Sequence, residues 1–416
     1  MQYIFVEKPY RFVKPLMSNW FARLMNTGLI HRPMLWSESI VSIESRGVEL
    51  LQKSIDDDHA IMMIPNHPRT SDPVVMFHLM RQVNTPIFAM ASWHLFNQNW
   101  MVSAIIWLYG AYSVNREGLD KSSINFTISA LQNNVRPLLM FPEGATSRTN
   151  DSLMPYLDGA TFLARTAARR RQKNEQKKTV IHPISIRYLF LGDAEKELER
   201  LILAIEAELK LKLDPKLDPP ARVMLAVEKL VELKEKEFNI QGDKNCSTWQ
   251  RCQHLANAVM EEAEVRCFGK PSQQNISNRI GEIRTHVFPQ LLKDSELAVG
   301  ELTAEQRNIR WRDLERTYLA WQMASYPKDY LAENPSADRL LEIAAKVLED
   351  LTDQRRKCGE QKVVIEVCQP IEVPPEKYRG TEPDPLIGMV RSQLLEKIGQ
   401  LEGECKPLKC DKTNLQ

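Results

Sequence analysis

The chain has 416 residues with 55 basic and 54 acidic side chains, and its net charge of +1 gives no overall attraction to nucleic acid or anionic lipid. The hydrophobic content of 43% and the charged content of 26% are those of a globular protein. The length suits two or three domains, or one domain with a large insertion. Any preference for a charged partner must therefore be local.

The first predicted element is a helix over residues 10–24, which mixes large apolar side chains with three basic ones and is broken by Pro15. Two interpretations stay open for it. It contacts a membrane surface, or it packs across the domain that follows.

Alternating strand-like and helical runs fill the chain up to residue 190. The predicted strands are residues 60–64, 87–91, 111–114, 138–141 and 180–187, and the predicted helices are residues 74–82, 93–109, 122–133 and 159–171. Alternation of this kind predicts an α/β fold with a mostly parallel sheet flanked by helices.

The stretch from residue 82 to residue 115 contains no charged side chain, and Trp93, Trp100 and Trp107 recur in it at intervals of seven. A continuous helix would place the three rings on one face, and tryptophan favours the membrane interface. One interpretation is a surface for an acyl chain or a membrane, and the other is an ordinary helix buried under the sheet. No apolar run is long enough to predict a transmembrane span.

The remainder of the chain is predicted to be a large helical block followed by a late strand at residues 363–367 and a helix at residues 385–401. Ser336 is the expected N-cap of the last helix in the block. We divide the chain into an N-terminal helical segment, an α/β core, a helical block, and a late strand and helix. The boundaries are 1–45, 46–192, 193–358 and 359–416.

The cysteines are seven in number and include no Cys-x-x-Cys pair. Together with the lack of a secretory leader, this predicts a reducing cytosol. Cys246, Cys252 and His254 are conceivable metal ligands, but a helix face with buried thiols is the favoured interpretation. We expect neither a metal nor a cofactor.

Two segments carry the residues expected to do chemistry. His67 and Asp72 lie five residues apart directly after the first predicted strand, and Glu143-Gly144 follows the fourth. Histidine titrates near neutral pH and accepts a hydroxyl proton, and an aspartate on its far ring nitrogen fixes the tautomer. Since reactive groups of parallel sheets lie beyond the carboxyl ends of strands, we predict one shared site.

In four ordered blocks the chain resembles the glycerolipid acyltransferases of the lysophosphatidate acyltransferase type. The blocks are Asn66-His67 through Asp72, Gly110 through Arg116, Phe141-Pro142-Glu143-Gly144, and Val180 through Ile184. The resemblance covers roughly residues 40 to 190 and resumes at residues 363–373. It implies that the late strand joins the first sheet and completes the core, so that the helical block is an insertion. Ala145-Thr146-Ser147 stands where the family usually has Thr-Arg-Ser, with an arginine only at Arg148, and Arg69 stands where the family often has serine.

The resemblance implies transfer of a fatty acyl group from acyl-ACP or acyl-CoA to a hydroxyl of lysophosphatidate, in phospholipid synthesis. His67 is the expected general base and Asp72 orients it. Arg116, assisted by Arg148 or Arg69, is expected to bind the acceptor phosphate. Glu143 is expected to order the acceptor hydroxyls or to hold Arg116, and backbone N–H groups near Gly144 to hold the oxyanion.

The expected partners are the acyl thioester donor, a lysophospholipid acceptor and, peripherally, the inner face of the cytoplasmic membrane, with no nucleic acid. Glycerol 3-phosphate or another hydroxyl lipid is the alternative acceptor. A lipid ester or thioester hydrolase is an alternative of another class, although no Gly-x-Ser-x-Gly or His-Glu-x-x-His motif supports it. A non-catalytic lipid-binding protein is a third. The basic run at residues 165–178 is either a solvated face or a patch for an acidic partner.

Overall fold

The computed structural model describes residues 8, 10–18, 31–157, 159–292, 302–331, 336–380 and 383–405. The chain divides into two compact units. An α/β unit comprises residues 10–188 and 362–403, and a helical unit comprises residues 1–9, 189–361 and 404–416.

The α/β unit is built from strands that alternate with helices. In chain order its elements are α1 His31–Ser37, β1 Ile40–Arg46, α2 Val48–Asp56, β2 Ala60–Pro65, α3 Asp72–Gln82, β3 Phe88–Ser92, α4 Leu95–Gln98, α5 Trp100–Leu108, β4 Ala111–Val114, α6 Lys121–Gln132, β5 Leu138–Leu139, α7 Gly159–Lys173 and β6 Thr179–Phe190. The helices of the other unit follow, and the chain then returns with β7 Gln361–Val367, β8 Ile371–Glu372 and α14 Pro385–Glu402.

The eight strands found in the described residues form one sheet, in the order β1-β7-β6-β2-β5-β3-β4, with β8 paired to β6. The pairs β2–β6, β2–β5, β3–β5 and β3–β4 are parallel, and β8 is antiparallel to β6. Because β2 lies at the centre, the residues that follow it leave the sheet in its middle. The late strand β7 joins the same sheet between β1 and β6, as predicted.

The central strands β2, β5 and β6 are buried on both faces, which explains why the sequence there is largely apolar. Successive side chains of a strand point to opposite faces, and Ile61 and Met63 pack in one core cluster while Met62 and Ile64 pack in another. The first cluster contains residues of α3, and the second contains residues of α7 and α14.

The predicted α/β fold with a mostly parallel sheet is confirmed, and each of the five strands predicted before residue 190 is present. The continuous helix predicted over residues 93–109 is wrong. Asn99 is extended, and its side chain accepts a hydrogen bond from the backbone N–H of Met101, so it caps a second helix. Of the predicted helix 10–24, residues 10–18 have no regular structure, and residues 19–24 lie outside the described part of the chain.

The helical unit contains α8 Ala194–Leu209, α9 Pro219–Phe238, α10 Thr248–Phe268, α11 Ile276–Leu291, α12 Ala304–Ala324 and α13 Ala337–Thr352. Polar side chains cap these helices at their N-termini. Ser336 accepts a hydrogen bond from Arg339 N, which confirms its predicted role, and Asp218 caps α9 just before two prolines.

The basic run at residues 165–178 is neither wholly solvated nor a free patch. Arg165 donates to both carboxylate oxygens of Asp384 at 2.6 and 2.7 Å, and Arg171 donates to the Gln132 and Lys177 carbonyl oxygens. These bonds tie α7 to the segment before α14 and to the end of α6. Much of the run therefore serves the fold.

Among the helices of the described ranges, none combines the length and the apolar composition needed to cross a bilayer.

The Arg165–Asp384 ion pair gives a stability prediction. Its side chains are 11% and 7% exposed, so Arg165→Met leaves a nearly buried carboxylate without its main partner. We expect a loss of about 3 kcal/mol in the free energy of unfolding in urea. The double variant with Asp384→Asn should lose less than the sum of the two single losses.

The exposed pair Lys178–Glu372 is the matched control, since its side chains are 60% and 59% exposed. Lys178→Met should cost less than about 1 kcal/mol. Equal losses for the two pairs would contradict a structural role of Arg165.

Candidate functional site

His67 and Asp72 form a hydrogen-bonded pair at the carboxyl end of β2. Nδ1 of His67 lies 2.7 Å from Oδ2 of Asp72. The His67 ring stacks on Phe141, with 4.1 Å between the ring centroids, and its side chain keeps 15% exposure. The other ring nitrogen, Nε2, forms no hydrogen bond with any described residue. The pair is thus oriented through Nδ1, while Nε2 is left to act on a ligand.

Asp72 is fully buried and is held by three donors. Oδ2 accepts both the His67 ring and the backbone N–H of Arg69, at 2.9 Å, and Oδ1 accepts the Tyr188 hydroxyl at 2.6 Å. Asp72 is also the first residue of α3, where the helix dipole favours a negative charge. The carboxyl group therefore finds within the protein the hydrogen bonds that water would otherwise supply.

Tyr188 is the site residue that sequence reasoning missed. It lies near the end of β6, 116 positions from Asp72, and Ser71 Oγ is 3.0 Å from its hydroxyl. Burial and the adjacent Asp72 raise the pKa of Tyr188 well above its usual value, so the hydroxyl stays a donor. The sequence signal that could have found it was a tyrosine, with its hydroxyl, one position after the strand predicted at residues 180–187.

Asn66 fixes the start of the loop after β2 against β6. Its side chain donates to the Ile186 carbonyl oxygen at 3.0 Å and accepts from the Ile186 N–H at 2.7 Å. The side-chain amide of Asn66 therefore continues the hydrogen bonding between β2 and β6 by one position after β2 has ended at Pro65. Asn150 makes the same paired contact with Tyr188, through bonds of 2.8 and 2.9 Å. The backbone next to His67 and the backbone of Tyr188 are thus each held by a pair of amide hydrogen bonds.

Glu143 supports the His67 backbone. It is only 2% exposed, and its two carboxylate oxygens accept from the N–H groups of His67, at 2.9 Å, and Met154, at 3.0 Å. The Ser147 N–H in turn donates to the His67 carbonyl oxygen at 2.9 Å. These contacts give Glu143 a positioning role, and its burial does not support the expected contact with an acceptor hydroxyl or with Arg116.

The expected oxyanion donor at Gly144 is already engaged. Its N–H donates to the Phe141 carbonyl oxygen at 3.1 Å, which closes the turn after β5. Gly144 has a φ of +74°, and an added Cβ would stand 3.3 Å from a Leu157 methyl group, so glycine suits the turn on both counts. The glycine shapes the loop, and its N–H is not available to an oxyanion in this conformation.

Arg116 lies beside this turn. Its guanidinium donates to the Gly144 carbonyl oxygen at 3.2 Å, and Nη2 lies 3.3 Å from the Nδ1 of His94. Two further arginines lie in the loops after β2 and β5. Arg69 lies over the Tyr188 ring at 5.1 Å, and Arg148 directly follows Ser147. All three are only partly buried, which suits them to an anionic ligand.

No group of three or more His, Cys, Asp or Glu side chains suited to a metal ion occurs in the described ranges. Of the conceivable metal ligands Cys246, Cys252 and His254, Cys252 is buried and His254 is exposed, so these two side chains lie in different environments.

The burial of Glu143 makes a pH prediction. Burial outweighs its two hydrogen bonds and raises its pKa from 4.5 to about 8. Between these values the folded state holds a proton that the unfolded state has lost, so stability falls as pH rises and levels off above 8. Glutamine does not titrate, so Glu143→Gln should gain about 1 kcal/mol or more relative to wild type between pH 6 and pH 8 in urea unfolding.

Glu49→Gln, at an exposed position, is the control and should track the wild type across the same range. A difference between Glu143→Gln and wild type that is constant from pH 5 to pH 9 would contradict the prediction.

Comparison with known proteins gives one match. The family model described as Acyltransferase matches residues 42–187, a range that contains His67, Asp72, Arg116 and Glu143 and ends one position before Tyr188. No curated protein matches the chain. The match supports an acyltransferase activity of general type. Residues 42–187 thus match the model of the Acyltransferase family, the family of lysophosphatidate and glycerolipid acyltransferases.

Proposed function

We propose that the protein transfers a fatty acyl group from a thioester, acyl-ACP or acyl-CoA, to the free hydroxyl of lysophosphatidate. The observation that carries the proposal is the His67–Asp72 pair, with Nδ1 bound to a buried carboxylate and the ring partly exposed. It supports a general base that acts through Nε2, as in the Ser-His-Asp arrangement, with the substrate hydroxyl in the place of serine.

In the proposed reaction, His67 Nε2 takes the proton of the acceptor hydroxyl while the alkoxide oxygen attacks the thioester carbonyl carbon. The C–O bond forms, the C–S bond breaks, and the thiolate leaves with the proton that His67 returns. Asp72 stabilises the imidazolium between these steps. General-base catalysis of this kind contributes ~100- to 10,000-fold to the rate. No covalent acyl-enzyme takes part.

We assign the acceptor phosphate to the partly buried Arg116, with Arg69 and Arg148 as its neighbours at the loop. A guanidinium makes paired hydrogen bonds to phosphate, which suits an acceptor whose only charged group is its phosphate. Glycerol 3-phosphate carries the same phosphate and is the alternative acceptor. Both lie within phospholipid synthesis, and a diacyl product would enter a membrane, which is why we also propose peripheral membrane contact.

For the proposed base, we predict that His67→Ala abolishes acyl transfer. Without the base, the rate should fall by at least ~100-fold. The measurement is formation of diacyl product from a radiolabelled acyl thioester and lysophosphatidate, separated by chromatography.

His254→Ala is the matched control, since His254 is exposed on α10 and should leave the rate unchanged. Full activity of folded His67→Ala would refute the mechanism. Release of free fatty acid by the wild type, with no diacyl product, would favour the alternative hydrolase.

A further prediction concerns the binding of the acceptor phosphate by Arg116. Arg116→Met should raise the KM for lysophosphatidate by about tenfold or more, since a charge-assisted bond contributes ~1.5–3 kcal/mol. The KM for a monoacylglycerol, which lacks the phosphate, should change little. Arg170→Met, at an exposed position on α7, serves as the control. An equal effect on both acceptors would show that Arg116 acts by holding the Gly144 turn and not by binding phosphate.

A further inference from the structure

Helix α5 is apolar at every position except Ser103 and yet has no fully buried residue. Its sequence, Trp-Met-Val-Ser-Ala-Ile-Ile-Trp-Leu, contains no charge. A helix that is hydrophobic on all sides is normally buried in a protein core or in lipid. The helix is therefore only in part the ordinary buried helix of the second interpretation: Ile105, Ile106 and Leu108 pack, partly buried, against the core, while the residues at its other side are exposed.

The exposed side chains are large and adjacent. Trp100 is 79% exposed, Met101 52%, Val102 41% and Trp107 36%. Contiguous apolar surface of this kind marks an interaction site, and tryptophan is the residue most suited to the boundary between water and lipid.

A basic segment lies beside the helix. The Trp107 indole donates to the Lys14 carbonyl oxygen at 3.0 Å, and Val13 is bound to Ser113 of β4 through both its N–H and its carbonyl oxygen. Arg11 and Lys14 are exposed, and Met17 is 54% exposed. Residues 10–18 and 82–115 contain no acidic side chain. The chain is close to neutral as a whole, so this positive charge is local.

The same helix is connected to the site. It lies between β3 and β4, and His94, just before α4, contacts Arg116, the residue assigned to the acceptor phosphate. The short segment 94–99 thus connects the residue that contacts Arg116 to the start of α5.

We propose that α5, with Arg11, Lys14 and Met17, forms a surface that docks on an anionic phospholipid bilayer. Trp100, Met101 and Val102 enter the interfacial layer, while the two cations meet lipid phosphates. An apolar helix flanked by basic residues, with no acidic side chain in residues 10–18 and 82–115, is complementary to the interface of an anionic bilayer. The proposal rests on the proposed function in one respect: docking would bring the protein to an acceptor that lies in the membrane.

The test uses the full-length protein and vesicles of phosphatidylcholine with and without 30% phosphatidylglycerol, separated by flotation. Wild-type protein should bind the anionic vesicles, and binding should weaken as salt rises from about 0.1 to 0.5 M because exposed charges become screened. Trp100→Ser/Met101→Ser should lower the partition coefficient at least tenfold. Arg11→Gln/Lys14→Gln should lower it severalfold, on anionic vesicles alone.

Met389→Ser/Leu395→Ser on α14 is the matched control, since these residues are 53% and 48% exposed and belong to the same unit. It should bind like wild type. Trp100→Phe/Met101→Leu keeps the apolar surface and should restore binding, which separates loss of docking from loss of fold.

Activity distinguishes the failure of this proposal from that of the proposed function. On a short-chain lysophosphatidate below its critical micelle concentration, Trp100→Ser/Met101→Ser should match wild type, and on vesicle-borne acceptor it should be slower. Active wild type that does not bind vesicles would overturn the docking surface alone. So would a wild-type dimer in light scattering that the variant dissociates without any vesicle binding, since the helix would then pair with a second copy.

Discussion

The site depends on the burial of one carboxyl group, that of Asp72. Asp72 has no contact with solvent, so its carboxylate must find in the protein the hydrogen bonds that water would supply. The His67 ring, the Arg69 N–H and the Tyr188 hydroxyl supply them, and each comes from a different part of the fold: the loop after β2, the turn into α3 and the end of β6. Satisfying Asp72 therefore fixes three segments together.

The other loops are fixed by backbone contacts with the same centre. Glu143 accepts the N–H of His67, and Ser147 donates to the carbonyl oxygen of the same residue, so the loop after β5 holds His67 from both sides. Arg116, from the loop after β4, reaches the Gly144 carbonyl oxygen. The parallel sheet explains the convergence, because the carboxyl ends of β2, β4 and β5 lie at one edge.

Much of the fold was predictable, because strands buried on both faces have apolar runs that are legible without knowledge of their neighbours. The elements that were mispredicted depend on contacts that periodicity does not contain. Asn99 divides the helix predicted at 93–109 by capping its second half. The arginines of α7 looked like a charged surface, but Arg165 finds Asp384 more than two hundred residues later.

The sequence by itself determined the order of the blocks, the pairing of a histidine with an aspartate five residues on, and the α/β class. These follow from local spacing, since a loop of five residues keeps both groups within reach. Only the tertiary structure decided that Glu143 faces a backbone N–H, that Tyr188 completes the environment of Asp72, and that α5 is exposed. Burial and long-range hydrogen bonds settle these points, and they exist only once distant segments have packed together.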